Sequence, residues 1–320
     1  MGEVSSLPLA SPKTENWTSN ARGRADRGAP QMKLRNPGYG IALSVPGLAI
    51  LLLWVLIPFG YVFYISFFRY DNISPVVPIG LANYKTVLKD PALPLILIRT
   101  FIFSFGSTGL TLLISVVLAV CLSRIARGSA FFRSLVIMPW AVPLILSGFL
   151  WAWMFHPSFG PISDLLMKLK LISEPLNIYK KPTMAMAGVI IADAWRRIPF
   201  LAIITLAGLQ SIPPNLYEAA KVDGADSLHT FRYVSLPLAS RPILIGTLIT
   251  LMFSFRSIDV IYSMTPGGGY AKCTYVLGAY LFDYMYEFLN FGIAASASVV
   301  LIILTFGIGA FFIYYTLKKG

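Results

Sequence analysis

Charge is scarce in this chain. Asp, Glu, Lys and Arg make up 12% of its 320 residues, whereas soluble domains carry about a quarter. That shortage excludes an ordinary solvated surface. Cysteine and histidine are scarcer, two of each. Cys121 and Cys273 fall on opposite sides of the hydrophobic runs described below, as do His156 and His229. Neither an internal disulfide nor a metal centre therefore has the ligands it needs. No Gly-x-x-x-x-Gly-Lys-[Ser/Thr] loop is present, so nucleotide hydrolysis has no phosphate cradle here. Gly-x-Ser-x-Gly and His-Glu-x-x-His are also missing, which leaves no nucleophile with a base at hand and no catalytic residue to assign.

What the chain has in abundance is apolar sequence. Hydrophobic residues reach 56% and mean hydropathy is +0.71. They are blocked into long runs rather than spread at strand period, so the alternating ten-mers of a membrane barrel are lacking. A helix needs roughly 20 apolar residues to cross about 30 Å of hydrocarbon. Six runs meet that need: Ile41–Phe67, Ile98–Leu122, Ser134–Phe155, Ala185–Leu209, Pro242–Ser263 and Phe291–Leu317. The expected fold is an all-α membrane protein of six transmembrane helices.

An even number of spans puts both termini on one side, and the flanking Lys and Arg decide which. Arg22–Arg35 before the first span, Arg124 and Arg133 after the second, and Lys221, Arg232 and Arg241 before the fifth outnumber the basic residues opposite. By the positive-inside rule both termini are cytoplasmic. Residues 1–36, rich in Ser, Pro, Gly, Asn and Arg, read as a disordered basic tail. The net charge of +12 is scattered over two membrane faces, which suits anionic headgroups and excludes a nucleic-acid stripe. The first run, long and without a small-residue cleavage site, is no removable signal peptide.

Between the first two spans lies Arg69–Leu97, and between the third and fourth Pro157–Met184, where Ile162–Leu171 predicts a short amphipathic helix. Gly267, Gly268 and Gly269 lack the frame of a phosphate cradle and read as a flexible loop. Prolines 46, 58, 139, 143 and 199 interrupt the spans, either as kinks that shape the bundle or as hinges.

Charges within the spans are more informative, because each costs roughly 2.5–3.5 kcal/mol at mid-membrane on insertion scales. The fourth span contains Asp193, Trp195, Arg196 and Arg197; the fifth contains Arg256 and Asp259. Asp193 with Arg197, and Arg256 with Asp259, have spacings that allow same-face ion pairs on their helices. Two readings follow. The pairs only neutralise one another, with Arg196 reaching for the headgroups, or Asp193, Trp195, Arg197, Arg256 and Asp259 line a polar path between the two spans. Guanidinium forks, carboxylates and an indole suit a polyhydroxylated solute.

Ser211–Arg241 is a long polar insert on the inner side. Pro213 and Pro214 open a helix that Gly224 stops in a left-handed conformation. Asp226 caps a second short helix running through Arg232 and Tyr233 and ending at Leu236-Pro237. Ala219 and Ala220 give the first helix a low surface, flanked by Glu218 and Asp223. From these residues alone the bent pair either docks another protein or lies on lipid.

A resemblance separates the two. Glu218-Ala219-Ala220, three residues, Gly224, nine residues, Val234, one residue and Leu236-Pro237 resemble the signature of permease subunits of binding-protein-dependent ABC importers. Gly80-Leu81-Ala82-Asn83-Tyr84, Trp195–Phe200, Ala207–Pro213 and Ile258–Tyr262 are similar to the carbohydrate-uptake branch, of the maltose, trehalose and glycerol-3-phosphate kind. The resemblance implies the type I permease fold: a basic tail over 1–36, a first helix and external segment over 37–96, and a five-helix core over 97–317 with its coupling loop at 211–241. It also implies that Glu218, Ala219, Ala220, Asp223, Gly224, Leu236 and Pro237 engage an ATPase. The implied partners are a second permease, a dimer of ATP-binding subunits, an extracellular solute-binding protein, a sugar or polyol, and membrane lipid. No cofactor is expected on this chain, since ATP and Mg would sit on the partner ATPase. An ion-gradient-driven secondary transporter is the alternative, but it expects an inverted repeat that the sequence lacks.

Overall fold

The computed structural model describes residues 37–125 and 128–318. The tail expected over 1–36, with its basic stretch Arg22–Arg35, lies outside the described residues. The chain divides into two compact units, 1–58 and 59–320. The first is represented by most of helix α1 (Pro37–Ile65), which runs unbroken through Pro46 and Pro58. Its described side chains up to Pro58 are all exposed and nearly all apolar. Such a helix is stable only where lipid or another helix covers it.

The second unit is a helical bundle with its irregular parts gathered at the two ends. At one end, β1 (Phe68–Arg69) and β2 (Val77–Pro78) form a small antiparallel pair. Asn83, on α2 (Ala82–Lys89), locks it by donating to the carbonyls of Ser66 at 2.9 Å and Phe68 at 2.8 Å. The Tyr84 hydroxyl meets Ser66 Oγ at 2.7 Å. These bonds account for the Asn-Tyr of the external segment.

Helix α3 (Leu93–Ser123) is the second expected span, and α7 (Pro182–Gln210) is the fourth. Their mutual packing is the most extensive in the fold. A small residue permits it: a Cβ on Gly106 would stand 2.8 Å from Ile190. Close backbone approach of this kind is how helices associate where lipid removes the hydrophobic drive. The last span is α13 (Phe291–Lys318).

Two expected spans are not single helices. The third divides into α4 (Ser129–Ala141) and α5 (Leu144–Met154), bent by 96° at Val142-Pro143. Pro143 supplies no N–H and restricts Val142 to extended backbone, so the helix stops there. The fifth, expected to continue to Ser263, ends with α10 (Ser240–Phe255) and resumes as α11 (Asp259–Met264). Among the described residues, three helices are long and apolar enough to cross a membrane, or up to five if α4 with α5, and Ser227–Leu238 with α10 (bent by 69°), each count as one span. The charge-bearing α7 is not among them, because Asp193, Arg196 and Arg197 interrupt its apolar run.

Between the fourth-span and third-span segments, α6 (Pro161–Lys168) is the short amphipathic helix expected there. Before α13, α12 (Leu277–Tyr286) was not foreseen from the sequence, which reads that stretch as loop. Its buried face, Leu277, Ala279 and Tyr280, joins Phe103, Val189, Val260 and Leu301 in the main core.

Candidate functional site

At the bundle end opposite the strand pair, α8 (Pro214–Val222) and α9 (Ser227–Leu238) form the bent elbow. Gly224 adopts φ +78°. Its N–H bonds Lys221 O at 3.1 Å, and Ala225 N–H bonds Ala220 O at 2.9 Å. This is the left-handed helix stop expected of glycine at that position. Asp226 accepts the His229 backbone N–H at 2.7 Å, as a cap should, and that bond holds its exposed carboxyl below the usual range.

Helix α9 does not end at Leu236-Pro237 as expected. It passes through a π-turn over Phe231–Ser235, in which Leu236 N–H bonds Phe231 O, and stops after Leu238. Widening the turn removes the clash that Pro237 would make with the carbonyl four residues back. The Ser235 hydroxyl donates to Tyr217 Oη at 3.3 Å and ties the two arms together.

Glu218, Ala219, Asp223 and Gly224 are exposed on the elbow, Glu218 beside a polar pocket between the elbow and α3. Ala220 is buried, on the face of α8 turned to α9. The sequence reading overlooked Val222, which is 88% exposed. It lies one turn beyond Glu218 and Ala219, so its side chain shares their face. Leu236 and Pro237 are also exposed, on the other arm.

The intramembrane charges occupy a different place. Asp193 is fully buried and its carboxylate accepts from four donors. Oδ2 takes Arg197 Nε at 2.7 Å, Ser107 Oγ at 2.5 Å and Ser254 Oγ at 3.3 Å; Oδ1 takes Ser257 Oγ at 3.1 Å. Three helical spans meet at that one side chain. The ion pair with Arg197 that the spacing allowed is therefore present.

The second pair is not. Arg256 and Asp259 no longer share a helix, because α10 ends at Phe255 and α11 starts at Asp259, and no ion pair joins them. The i, i+3 relation presumed a continuous helix, and the break at 256–258 removes it. Both residues instead line a cavity of about 410 Å³ with Arg196, Arg197, Phe253 and Trp140. Asp193 and Trp195 do not reach it: Asp193 is enclosed by its donors, and Trp195 turns edge-on to Trp151 with ring centres 5.9 Å apart.

Arg196, Trp140, Phe200 and Phe253 belong to the cavity wall, although the sequence reading did not place them there. Arg196 donates from Nε to Val142 O at 3.2 Å, satisfying a carbonyl at the α4–α5 break. Arg197 and Arg256 both lie over the Phe253 ring, at 6.0 and 5.6 Å. No carboxylate lies within ion-pair distance of Arg196 or Arg256 among the described residues. The cavity thus offers free guanidinium donors, one carboxylate acceptor and aromatic faces.

Residues 111–320 match the family described as binding-protein-dependent transport system inner membrane component. The trehalose/maltose transport system permease protein MalF of Thermococcus litoralis is 32% identical over 275 residues, 86% of this chain and 92% of that protein. The sn-glycerol-3-phosphate transport system permease protein UgpA of Agrobacterium fabrum is 32% identical over 241 residues, 75% of this chain and 81% of its own. Among solved structures, a bacterial ABC transporter that imports the acidic polysaccharide alginate shares the fold, with TM-score 0.70 at 20% identity. That match covers 87% of this chain and 94% of the other. A helical bundle and a glycine-stopped elbow agree with these likenesses: the chain belongs to the inner membrane components of binding-protein-dependent transport systems, and its relatives are permease subunits rather than enzymes.

Proposed function

We propose that this chain conducts a sugar or polyol through an ATP-driven importer, with both termini in the cytoplasm and the α8–α9 elbow seated in a separate ATP-binding subunit. In this reading residues 37–96 supply the first helix and external segment, and 97–317 the core. A second permease completes the path. An extracellular solute-binding protein delivers the cargo, and ATP with Mg is held by the ATP-binding dimer.

The observation that carries the reading is the cavity at the break of the fifth span. Guanidinium donors and a carboxylate satisfy hydroxyl groups, while Trp140, Phe200 and Phe253 offer faces to sugar C–H groups. Relatives named for trehalose, maltose and glycerol-3-phosphate point to the same solute class. The elbow, exposed through Glu218, Ala219, Val222 and Asp223, is the surface through which the ATPase would drive the bundle.

An ion-gradient mechanism needs a carboxylate free to bind and release its ion. Asp193 is already saturated by four donors, and Asp259, open to the cavity, is the carboxylate such a mechanism would have to use. The deciding experiment reconstitutes the whole importer in vesicles with its binding protein. Solute should accumulate with ATP and not with an ion gradient alone. Uptake driven by the gradient without ATP would overturn the reading.

A further inference from the structure

The outer surface of α3 carries an apolar groove of about 530 Å³ that the transport reading leaves unused. Leu113, Val116, Val117 and Val120 form its floor, and Leu228 and Phe231 of α9 form its wall. From Leu112 to Arg124 it follows α3 for about 18 Å at 1.5 Å per residue, close to the roughly 15 Å depth of one hydrocarbon leaflet. At its end the groove opens into a second, polar pocket of about 630 Å³ between α3 and the elbow. The two share Val120, Arg124, Ser227 and Phe231. Ser123, Thr230, Lys221 and Glu218 line the polar part.

We propose that this groove and pocket together bind one anionic phospholipid with a hydroxylated headgroup, its acyl chain along α3 and its phosphate between Arg124 and Lys221. The argument is complementarity at both ends. Arg124 stands where apolar wall gives way to polar wall, just past the end of a helix apolar enough to span a membrane. Neither Arg124 nor Lys221 has a carboxylate within ion-pair distance among the described residues. A phosphate supplies the charge both lack, and the Ser123 and Thr230 hydroxyls in the polar wall can bond its oxygens or the headgroup hydroxyls. A neighbouring subunit's helix would fill the apolar half but leave the two cations unmatched. Because the pocket is floored by the elbow, a lipid held there braces the element proposed to move with the ATPase.

The test uses the whole importer complex, extracted from vesicles of equal phosphatidylglycerol and phosphatidylcholine, and counts retained lipids by native mass spectrometry. Wild type should retain phosphatidylglycerol preferentially. Arg124→Gln should lower that preference by about fivefold, the worth of one basic side chain at an anionic surface. Val117→Trp, which fills the groove without touching a charge, should lower total retention at the site. Alkylation of the exposed Cys121 in the groove wall locates the effect: it should slow in phosphatidylglycerol bilayers for wild type and not for Arg124→Gln. Equal retention of both lipids, or no response to either variant, would overturn the proposal. So would Cys121 protection that persists equally in detergent, which would mean that a protein helix covers the groove. None of these readouts depends on solute transport, so their failure leaves the importer assignment standing, and the reverse holds as well.

Discussion

Asp193 and Arg197 stand one turn apart on α7, and their carboxylate and guanidinium meet at 2.7 Å with both side chains out of solvent. Ser107 from α3, Ser254 near the end of α10 and Ser257 in the break after it complete the carboxylate's shell. A charge pair placed in this way holds three spans together and fixes the position from which Arg197 reaches the cavity. Arg256 and Asp259, by contrast, are left open to the cavity with no charged partner. The two sets should respond differently to substitution.

Removing Asp193 strands a buried guanidinium. Asp193→Ala is expected to destabilise the protein by about 3–5 kcal/mol, read as a lowered unfolding temperature of the purified complex. Its serine partners should rank by distance. A hydrogen bond to a charged group contributes about 1.5–3 kcal/mol, so Ser107→Ala should cost more than Ser254→Ala. The reverse order would mean that the carboxylate does not sit as described.

Arg256→Gln and Asp259→Asn strand nothing. Their stability should stay within about 0.5 kcal/mol of wild type, as for ordinary surface positions, while solute uptake by the reconstituted importer falls. Unchanged uptake kinetics in both would remove them from the solute path.

Gly224 has φ +78° and nothing within 4 Å of where a Cβ would stand. The effect of substitution is therefore one of backbone alone. Gly224→Ala should cost about 1–2 kcal/mol, and Gly224→Asn less, because asparagine tolerates the left-handed region. Amide exchange across the elbow would report both, with the alanine variant opening faster.

Asp226 caps α9 through the His229 N–H, which holds its carboxyl below the ordinary value. A group lowered by folding stabilises above its unfolded value and loses that contribution as pH falls through the folded one. Exchange at Ser227–Thr230 should thus stay slow through neutral and mildly acidic pH and quicken only below the usual carboxylate range. Asp226→Ala should quicken it at every pH; Asp226→Asn, also a good cap, should remain slow and lose the acid dependence.

The elbow was legible because it is local. Proline openings, a glycine stop and an Asx cap each act within a few residues, and Pro214, Gly224 and Asp226 stand where those rules put them. Spans one, two and six were legible because long apolar runs have one outcome in lipid; the helix of span four was legible as a helix, although its charges interrupt the apolar run. The breaks at Val142-Pro143 and at 256–258 were not. Proline leaves both a kinked and a broken helix open, and no proline marks 256–258, where Ser257, between α10 and α11, gives its hydroxyl to the carboxylate of Asp193 on α7. The i, i+4 pair survived because α7 is continuous, and the i, i+3 pair failed because its helix is not. Arg196 and Trp140 entered the cavity through the α4–α5 bend, a tertiary relation that has no period in the sequence. Val222 was overlooked because an apolar residue in an apolar chain draws no notice until its exposure is known.

The central claim is that the elbow is gripped by an ATP-binding subunit. Its most direct test is photo-cross-linking from Val222→Cys carrying a benzophenone maleimide, in the assembled importer during uptake. The adduct should contain the ATP-binding subunit, and its formation should arrest solute-stimulated ATP hydrolysis. An adduct with lipid alone, formed while uptake and hydrolysis continue, would contradict the account.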